Sequence, residues 1–486
     1  MNPVDASRAY VRRDSNALLL LVCLAQFMVV LDVSIVNVAL PSIRDGLGFS
    51  TAGLQWVVNA YTLTFAGFLL LGGRASDLLG RRRVFLAGTV LFSAASLVCA
   101  AAGSPGVLLA ARAIQGLGGA VISAASLAII TTSFEEGASR NRALGVWGAL
   151  GGLGATSGVL LGGVLTQGLG WPWIFLINVP IGAALVVFGP RLVPEGRSSL
   201  DHRHFDVSGA ILVTTGMVAL VYGIVRTDVL GWGSAGVLAP LAAGALLLAG
   251  FALVEGKVAR APLMPLGIFR LRLLRSANLV ILLLYSAIFA MWFFVSLYMQ
   301  QDLHHDAIET GLAFLPMTLS VAAAATLAPH LVRRVGARVV LTAGMLSATA
   351  GLALLTGVKP DGTYLAQVLP GGVLSAFGLG LALVPATIVA VQGVPGPQSG
   401  LASGLLNTSR LVGGALGLAA LTTLATSHAH TQVASGTPAV LAQTDGYQLA
   451  FAVGAILCLL GALAAGILLR PRDSAATVGE IVEAEG

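Results

Sequence analysis

Apolar stretches recur along the whole chain and are separated by short polar segments. Each is about 20 residues long, which as a helix spans the ~30 Å hydrocarbon core of a bilayer. The pattern therefore predicts an all-α integral membrane protein. We expect fourteen transmembrane helices, at residues 17–39, 54–72, 84–102, 107–131, 142–165, 173–190, 207–226, 236–255, 276–299, 311–332, 338–357, 366–391, 402–425 and 448–469.

The basic residues are concentrated in alternate loops. Most of the 27 lysines and arginines fall in loops on the same side as the N-terminus. Only Arg44, Arg226 and Lys359 fall on the opposite side, and Arg112 and Arg410 lie inside predicted spans. Because cytoplasmic loops are enriched in Lys and Arg, both termini are predicted to be cytoplasmic. Adding or removing one helix would destroy this alternation.

Composition excludes a soluble protein. The chain is 56% hydrophobic and 10% charged, whereas soluble domains are ~25% charged. The net charge of +6 follows from the loop arginines, so no nucleic-acid partner is expected.

The loops divide the predicted helices into two groups of six with an inserted pair between them. The tripeptide at 116–118 is repeated at 378–380, which suggests two related halves that rock about a central site. The predicted divisions are a cytoplasmic N-terminus (1–16), an N-terminal bundle (17–190), a loop (191–206), two inserted helices (207–255), a loop (256–275), a C-terminal bundle (276–469) and a cytoplasmic tail (470–486).

One cytoplasmic loop carries a recognisable motif. The segment GGRASDLLGRRRV, at 72–84, resembles the G-x-x-x-D-x-x-G-R-[RK] signature of the major facilitator superfamily through Gly73, Asp77, Gly80 and Arg81. The corresponding loop of the second half retains Gly336 but lacks the acid.

Further motifs resemble one branch of that superfamily, the fourteen-span drug:proton antiporters. They are LDVSIVNVALPSI at 31–43, RAIQGLGGA at 112–120 and GLLNTSRLVGGALG at 404–417. The resemblance, which extends to actinomycete antibiotic-export and resistance pumps, implies proton-coupled efflux of a small organic compound by alternating access. It also implies a multi-pass protein of the bacterial cell membrane that acts as a monomer and needs no cofactor beyond the proton gradient.

The resemblance points to Asp32 and Arg112 as the proton-coupling pair. A carboxylate inside a membrane helix costs ~2.5–3.5 kcal/mol on insertion scales, so such residues usually line cavities or couple transport. In the resembled fold, the first and fourth helices both line the central cavity, which permits a contact between Asp32 and Arg112. Gln115 lies one turn beyond Arg112 and can orient either partner. A purely structural role for both charges is the alternative.

Two glycine-containing motifs have expected conformational roles. The loop residues Gly73, Asp77, Gly80 and Arg81 are expected to form a cytoplasmic gate, although the arginines also satisfy the positive-inside rule. The fifth span carries small residues on one helix face, which allows close helix packing. Its motif comprises Gly154, Gly158, Gly162 and Gly163, with Val159 where the resembled family has Pro.

Aromatic and amide side chains suit a cavity for amphipathic organic molecules. Candidate cavity residues are Asn37, Asn59, Tyr61, Trp292, Phe293, Asn407 and Arg410. The histidines lie in loops or at span ends, and their spacing predicts no metal site.

The sequence leaves two alternative functions, an importer and a membrane-bound enzyme. A nutrient or siderophore importer would share the fold and reverse the direction of transport. An integral-membrane transferase would need clustered acids, of which Asp302, Asp306 and Glu309 are the densest group. We expect these to form a solvated loop and the protein not to be an enzyme. No nucleotide-binding loop of the type G-x-x-x-x-G-K-[ST] occurs in the sequence.

Overall fold

A computed structural model describes residues 3–134, 138–195, 207–258, 266–392, 394 and 399–469. These residues form helices and connecting turns, without strands. The predicted tail at 470–486 and most of the predicted loop at 191–206 lie outside the described residues. The α-helices are α1 Pro3–Leu47, α2 Thr51–Leu79, α3 Arg81–Ala100, α4 Pro105–Ser133, α5 Ala138–Leu169, α6 Trp173–Leu176, α7 Asn178–Leu192, α8 Val207–Leu230, α9 Ala235–Leu253, α10 Arg272–Gln301, α11 Ala307–Val335, α12 Ala337–Leu355, α13 Leu369–Val391, α14 Ser399–Ala434 and α15 Ala439–Leu468.

Twelve helical segments among the described residues are long and apolar enough to cross a membrane. They correspond to predicted spans one, three, four and six to fourteen, with α6 and α7 together forming one segment, Trp173–Leu192. The long helices α2 and α5, of 29 and 32 residues, lie at predicted spans two and five. The multi-pass helical fold is thus confirmed, and the count of fourteen stays a prediction.

Local sequence explains several helix boundaries. The side chain of Ser50 accepts a hydrogen bond from the Gly53 N–H and caps α2. Asp306 and Glu309 form a capping box that begins α11. Gly80 and Gly336, in the α2–α3 and α11–α12 turns, have φ values of 102° and 84°. Glycine adopts these backbone angles without the steric cost that a side chain would add, so Gly80 has a structural role in its turn.

The helices pack as two groups, a first group of α1–α7 and a second group of α10–α15, in which equivalent helices have equivalent neighbours. In the first group α1 packs on α5, and α4 packs on both α2 and α3. In the second group α10 packs on α14, and α13 packs on both α11 and α12. The same arrangement of partners in both groups extends the faint sequence repeat to tertiary structure.

The main helix pairs that join the groups are α1 with α10, α2 with α14, and α5 with α11. Helix α8 contacts both α2 and α14, and α9 packs on α8. A small apolar cluster holds α8 at this seam and contains Leu63, Met217, Val221, Ala415 and Ala419. The helix pair that the sequence inserts between the halves therefore packs against one of their junctions.

The glycines of α5 permit unusually close backbone contacts. A Cβ at Gly154, Gly158 or Gly162 would lie within 2.9 Å of backbone oxygens of α1, so these three glycines pack α5 within its own group. Gly163 faces the other group, where a Cβ would lie 2.4 Å from the Ala307 carbonyl oxygen of α11. The motif therefore contributes both to packing within the first group and to packing between the two groups.

Candidate functional site

Asp32 and Arg112 form an ion pair in the interior of the first group. Arg112 Nη1 lies 2.5 Å from Asp32 Oδ2, and the side chains are 1% and 0% exposed. The guanidinium also donates through Nε to the Val57 carbonyl oxygen at 2.9 Å. The arginine thereby ties α4 to both α1 and α2.

Amide and hydroxyl groups complete the ion pair's surroundings. Gln115 Nε2 donates to Asp32 Oδ1 at 2.7 Å and to Ser96 Oγ at 2.8 Å, while its Oε1 accepts from Arg112 Nη1 at 2.7 Å. Asn178 Nδ2, at the start of α7, donates to Asp32 Oδ1 at 2.9 Å. Asp32 therefore accepts hydrogen bonds from three side chains on two helices. The structure brings together all three residues proposed for coupling and adds Asn178 and Ser96, which were not among the predicted site residues.

Aromatic rings cover the arginine. Its guanidinium carbon lies 4.4 Å from the ring centroid of Tyr61 and 5.6 Å from that of Phe175. A cation over such faces is stabilised by the ring quadrupole, more strongly where water is excluded. Because removing one partner would leave an uncompensated buried charge, a ~3–5 kcal/mol cost is typical of such a break. A proton added to Asp32 would have the same electrostatic effect.

The predicted gate lies at the end of the bundle that carries the arginine clusters of the α2–α3 and α11–α12 turns. We call this the arginine-rich end and the other end the distal end. Arg82 Nη2 and Arg83 Nε bind Glu195 at 2.6 and 3.0 Å. Arg82 also donates to the Pro190 carbonyl oxygen of α7 at 3.1 Å, so α3 is tied both to α7 and to the segment that follows it. The side chain of Asp77 lies outside what the structure describes, and a Cβ at Gly73 would meet no atom within 4 Å.

The candidate cavity residues are dispersed. Asn59 is fully buried on α2, and neither side-chain polar atom has a hydrogen-bond partner among the described residues. Phe293 is 1% exposed and packs edge-to-face on Phe294 in the second group's core. Trp292 is half-buried beside Phe314, with ring centroids 4.9 Å apart.

The remaining candidates lie on α1 and α14. Asn37 is half-buried and donates to the Val33 carbonyl oxygen of its own helix. Asn407 and Arg410 are half-buried on α14, and Arg410 lies over the ring of Tyr285. The structure thus places Tyr61 with Arg112 and groups Asn407 with Arg410, while Phe293 lies in a packed core.

Polar contacts join the two groups at the distal end. Gln167 Nε2 on α5 donates to Asp306 Oδ2 at 3.0 Å, and its Oε1 accepts from the Ile308 N–H at 3.2 Å. Ser296 Oγ and Gln300 Nε2 on α10 donate to the Asn37 and Val38 carbonyl oxygens of α1 at 2.7 and 3.0 Å. No motif pointed to these contacts.

A polar cavity of about 610 Å³ lies beside those contacts. Its lining includes Arg44, Gln167, Gln301, His305 and Asp306. The backbone N–H of Glu309 and the Gln167 amide stabilise the charged form of Asp306 and lower its pKa.

The acids proposed for a transferase site do not converge on a metal site. Asp306 and Glu309 are used in the capping box of α11. Asp302 accepts a hydrogen bond from Thr444 Oγ1 at 2.8 Å, and burial raises its pKa. Among the described residues, no group of three or more His, Cys, Asp or Glu side chains is arranged to hold a metal ion.

Comparisons with known proteins agree with the fold and the motifs. The family model described as the Major Facilitator Superfamily matches residues 22–418 and 277–484. The cephamycin export protein CmcT of Amycolatopsis lactamdurans is 44% identical over 435 residues, covering 88% of this chain and 87% of that protein. The puromycin resistance protein pur8 of Streptomyces alboniger is 40% identical over 467 residues, covering 94% and 92%.

Solved structures show the same fold at low sequence identity. A POT family transporter superposes with a TM-score of 0.68 at 16% identity, covering 92% of this chain and 98% of that chain. A bacterial homolog of the human lysosomal transporter Spinster superposes with a TM-score of 0.66 at 15% identity, covering 96% and 98%.

The family inferred from the motifs is confirmed, and the transferase alternative is excluded by it. The chain is a multi-pass membrane transporter of the major facilitator superfamily, related to its bacterial antibiotic export and resistance proteins.

Proposed function

We propose that this transporter exports an antibiotic or related secondary metabolite from a bacterial cell in exchange for protons. The observation that carries the proposal is the buried Asp32–Arg112 pair with its donors Gln115 and Asn178. Its relatives include a protein named for cephamycin export and one named for puromycin resistance. These names support an antibiotic as the transported compound.

The coupling step follows from electrostatics. Ionised Asp32 neutralises Arg112 in a site that excludes water, because both side chains are almost fully buried. Protonation of Asp32 removes its negative charge and leaves Arg112 uncompensated, which favours a rearrangement of α1 against α4. Arg112 keeps its charge throughout, since a guanidinium does not lose its proton near neutral pH. Release of the proton restores the pair.

The proposed topology has fourteen spans in two six-helix halves, with the arginine-rich end in the cytoplasm. The positive-inside rule supports this orientation. Helices α2 and α5 then cross the membrane with the twelve segments described above. The contacts between Gln167 and Asp306 become an outer gate, and those of Arg82 and Arg83 with Glu195 become part of a cytoplasmic one.

The proton gradient is a sufficient energy source, without a cofactor and within one chain. A charge that moves across 100 mV releases about 2.3 kcal/mol, which supports a substrate gradient of roughly fifty-fold. The gate contacts and the ion pair are all made within this chain, which supports a functional monomer.

The proposal is tested in everted membrane vesicles to which puromycin is added from outside as probe. Acidifying the vesicle interior should drive puromycin accumulation by the wild type, and Asp32→Asn should abolish that accumulation with the protein still in the membrane. Asp361→Asn, which changes an exposed acid, is the matched control. Full uphill accumulation by Asp32→Asn would overturn the coupling role, and uptake only in right-side-out vesicles would favour an importer.

A further inference from the structure

Arg410 is a cation within α14 that forms no ion pair with any acid among the described residues. Its guanidinium carbon lies 4.8 Å from the ring centroid of Tyr285 on α10. Its Nε is buried without a hydrogen-bond partner in the part of the chain that the structure describes. It begins roughly 16 Å from the start of α14 at 1.5 Å per residue, well inside the span. Arg112, by contrast, has Asp32 at 2.5 Å.

Close packing of α14 on α10 fixes the position of this charge. A Cβ at Gly413 would lie 2.4 Å from the Leu282 carbonyl oxygen, and one at Gly417 would lie 2.2 Å from that of Ser286. Gly413 follows Arg410 by three residues, so it lies on the same helix face. The backbone that carries the guanidinium is therefore held directly against α10.

An aromatic surface extends from Arg410 towards the junction of the two groups. Tyr285, Phe289 and Trp292 occupy one face of α10, and the Tyr285 and Phe289 ring centroids lie 5.8 Å apart. Further along the same face, Ser296 and Gln300 bind the backbone of α1. Phe289 and Trp292 are only half-buried, which leaves part of each ring available for contact.

The neighbouring polar groups add no negative charge. Ser409 Oγ donates to Asn278 Oδ1 at 2.7 Å, so that hydroxyl hydrogen already has an acceptor. Asn407 lies one turn before Arg410 and is half-buried. A half-buried guanidinium that is held in place, and that has no acidic partner among the described side chains, favours an anion. A carboxylate matches its forked donors.

We propose that Arg410 binds the carboxylate of an amphipathic organic anion whose apolar body lies along Tyr285, Phe289 and Trp292. This assignment rests on the proposed function, since it names the chemical class of the exported compound. Arg410 is then a substrate-binding residue in the second group, spatially separate from the Asp32–Arg112 pair in the first.

Three fluorescent probes test the assignment because they share a dansyl group and differ in charge. They are dansylglycine, a carboxylate; dansylglycinamide, which is neutral; and dansylcadaverine, a cation. Binding is measured as fluorescence enhancement on the purified full chain in phosphatidylcholine nanodiscs at pH 7.5, with empty nanodiscs subtracted. We expect the carboxylate to bind at least about tenfold more tightly than the neutral probe, the magnitude typical of a charge-assisted hydrogen bond.

Variants assign the preference to Arg410. Arg410→Gln should reduce the affinity for dansylglycine to that for dansylglycinamide, and Arg410→Lys should retain part of the difference. Arg226→Gln is the matched control, because Arg226 also lies over a tyrosine, Tyr222, but is exposed on α8. It should leave the preference unchanged.

The outcomes separate this assignment from the proposed function. Equal affinity for the three probes, a preference for the cation, absent binding of dansylglycine, or a preference that survives Arg410→Gln would each overturn the anion site. None of these depends on a proton gradient. A wild type that binds dansylglycine selectively but does not accumulate it in everted vesicles under a proton gradient would instead overturn the proposed coupling and leave the charge preference standing.

Discussion

Gln167 and Asp306 join the two helix groups through a side-chain hydrogen bond of 3.0 Å at the distal end. The same glutamine accepts from the Ile308 N–H, so one residue of α5 binds both the side chain and the backbone at the start of α11. Immediately below, Gly163 allows the two helices to approach closely. Under alternating access this junction must open for outward release, which makes Gln167 a test of the proposed outer gate.

Gln167→Ala should favour the outward-open state, because it removes a hydrogen bond between the two groups to a charged acceptor. Val38 is buried on α1 where Gln300 binds its carbonyl oxygen. A cysteine at this position therefore reports the opening of the junction between the two groups. A membrane-impermeant maleimide added to intact cells should label Val38→Cys faster in the Gln167→Ala background. The three native cysteines are buried and give little background.

Gln443→Ala is the control for this experiment, since Gln443 binds Gln301 within the second group. It should leave the labelling rate of Val38→Cys unchanged. Equal labelling of the two double variants would show that Gln167 does not hold the outer junction closed.

Asn178→Ala should slow proton-driven transport without abolishing it. The change removes one of three donors to Asp32 but leaves Arg112 and Gln115 in place. The initial rate of puromycin accumulation in everted vesicles should therefore fall between those of the wild type and Asp32→Asn. Asp361→Asn is the control, because Asp361 is exposed and lies outside the proposed site. A wild-type rate for Asn178→Ala would remove Asn178 from the coupling site.

Gly158→Ala should destabilise the first group. The added Cβ would lie 2.0 Å from Ser34 Oγ and 2.8 Å from the Leu31 carbonyl oxygen, and overpacking of this kind typically costs ~1–3 kcal/mol. The thermal midpoint of unfolding in detergent should fall. Gly168→Ala lies in the same helix and meets no atom within 4 Å, so its midpoint should stay at or above that of the wild type. Equal midpoints for the two variants would contradict the close α1–α5 packing.

Asp302 should make stability depend on pH. It follows the membrane segment that ends at Gln301, and burial raises its pKa above the ordinary 3.8. The folded protein therefore binds this proton more tightly than the unfolded chain does. The resulting stabilisation is complete below pH 3.8 and is lost as the pH rises through the folded-state pKa.

Asp302→Asn removes this dependence while an amide oxygen still accepts from Thr444. The thermal midpoint of the wild type should fall relative to that of Asp302→Asn as the pH is raised from below 3.8 towards neutrality. Asp361→Asn, at an exposed position, should show no such divergence. Parallel pH curves for the wild type and Asp302→Asn would contradict the burial effect.

The sequence predicted three residues of the proposed coupling site but not the contacts between them. Asp32 and Arg112 were identified because a charge in an apolar run is costly, and this is visible in one helix at a time. Asn178 carries no such cost and is 146 residues from Asp32. Its role depends on how α7 packs against α1, which no local pattern encodes. Glu195 and Gln167 escaped detection for the same reason.

For the candidate cavity residues, the sequence identified suitable side chains but could not show which of them are accessible. Phe293 and Trp292 are adjacent and chemically similar, yet one lies in the packed core and the other is half-buried. Successive residues of a helix face different directions, about 100° apart, so only the placement of neighbouring helices decides which of them is accessible.

The sequence by itself determined that this chain crosses a membrane many times, because the length and apolarity of each run are local properties that hydrocarbon selects. Its motifs likewise determined the superfamily. Which charges are paired depends on the tertiary structure: Arg112 meets Asp32 across α4 and α1, whereas Arg410 lies over the ring of Tyr285 and has no acidic partner among the described residues. That difference depends on which helices become neighbours, and the roles proposed for the two arginines rest on it.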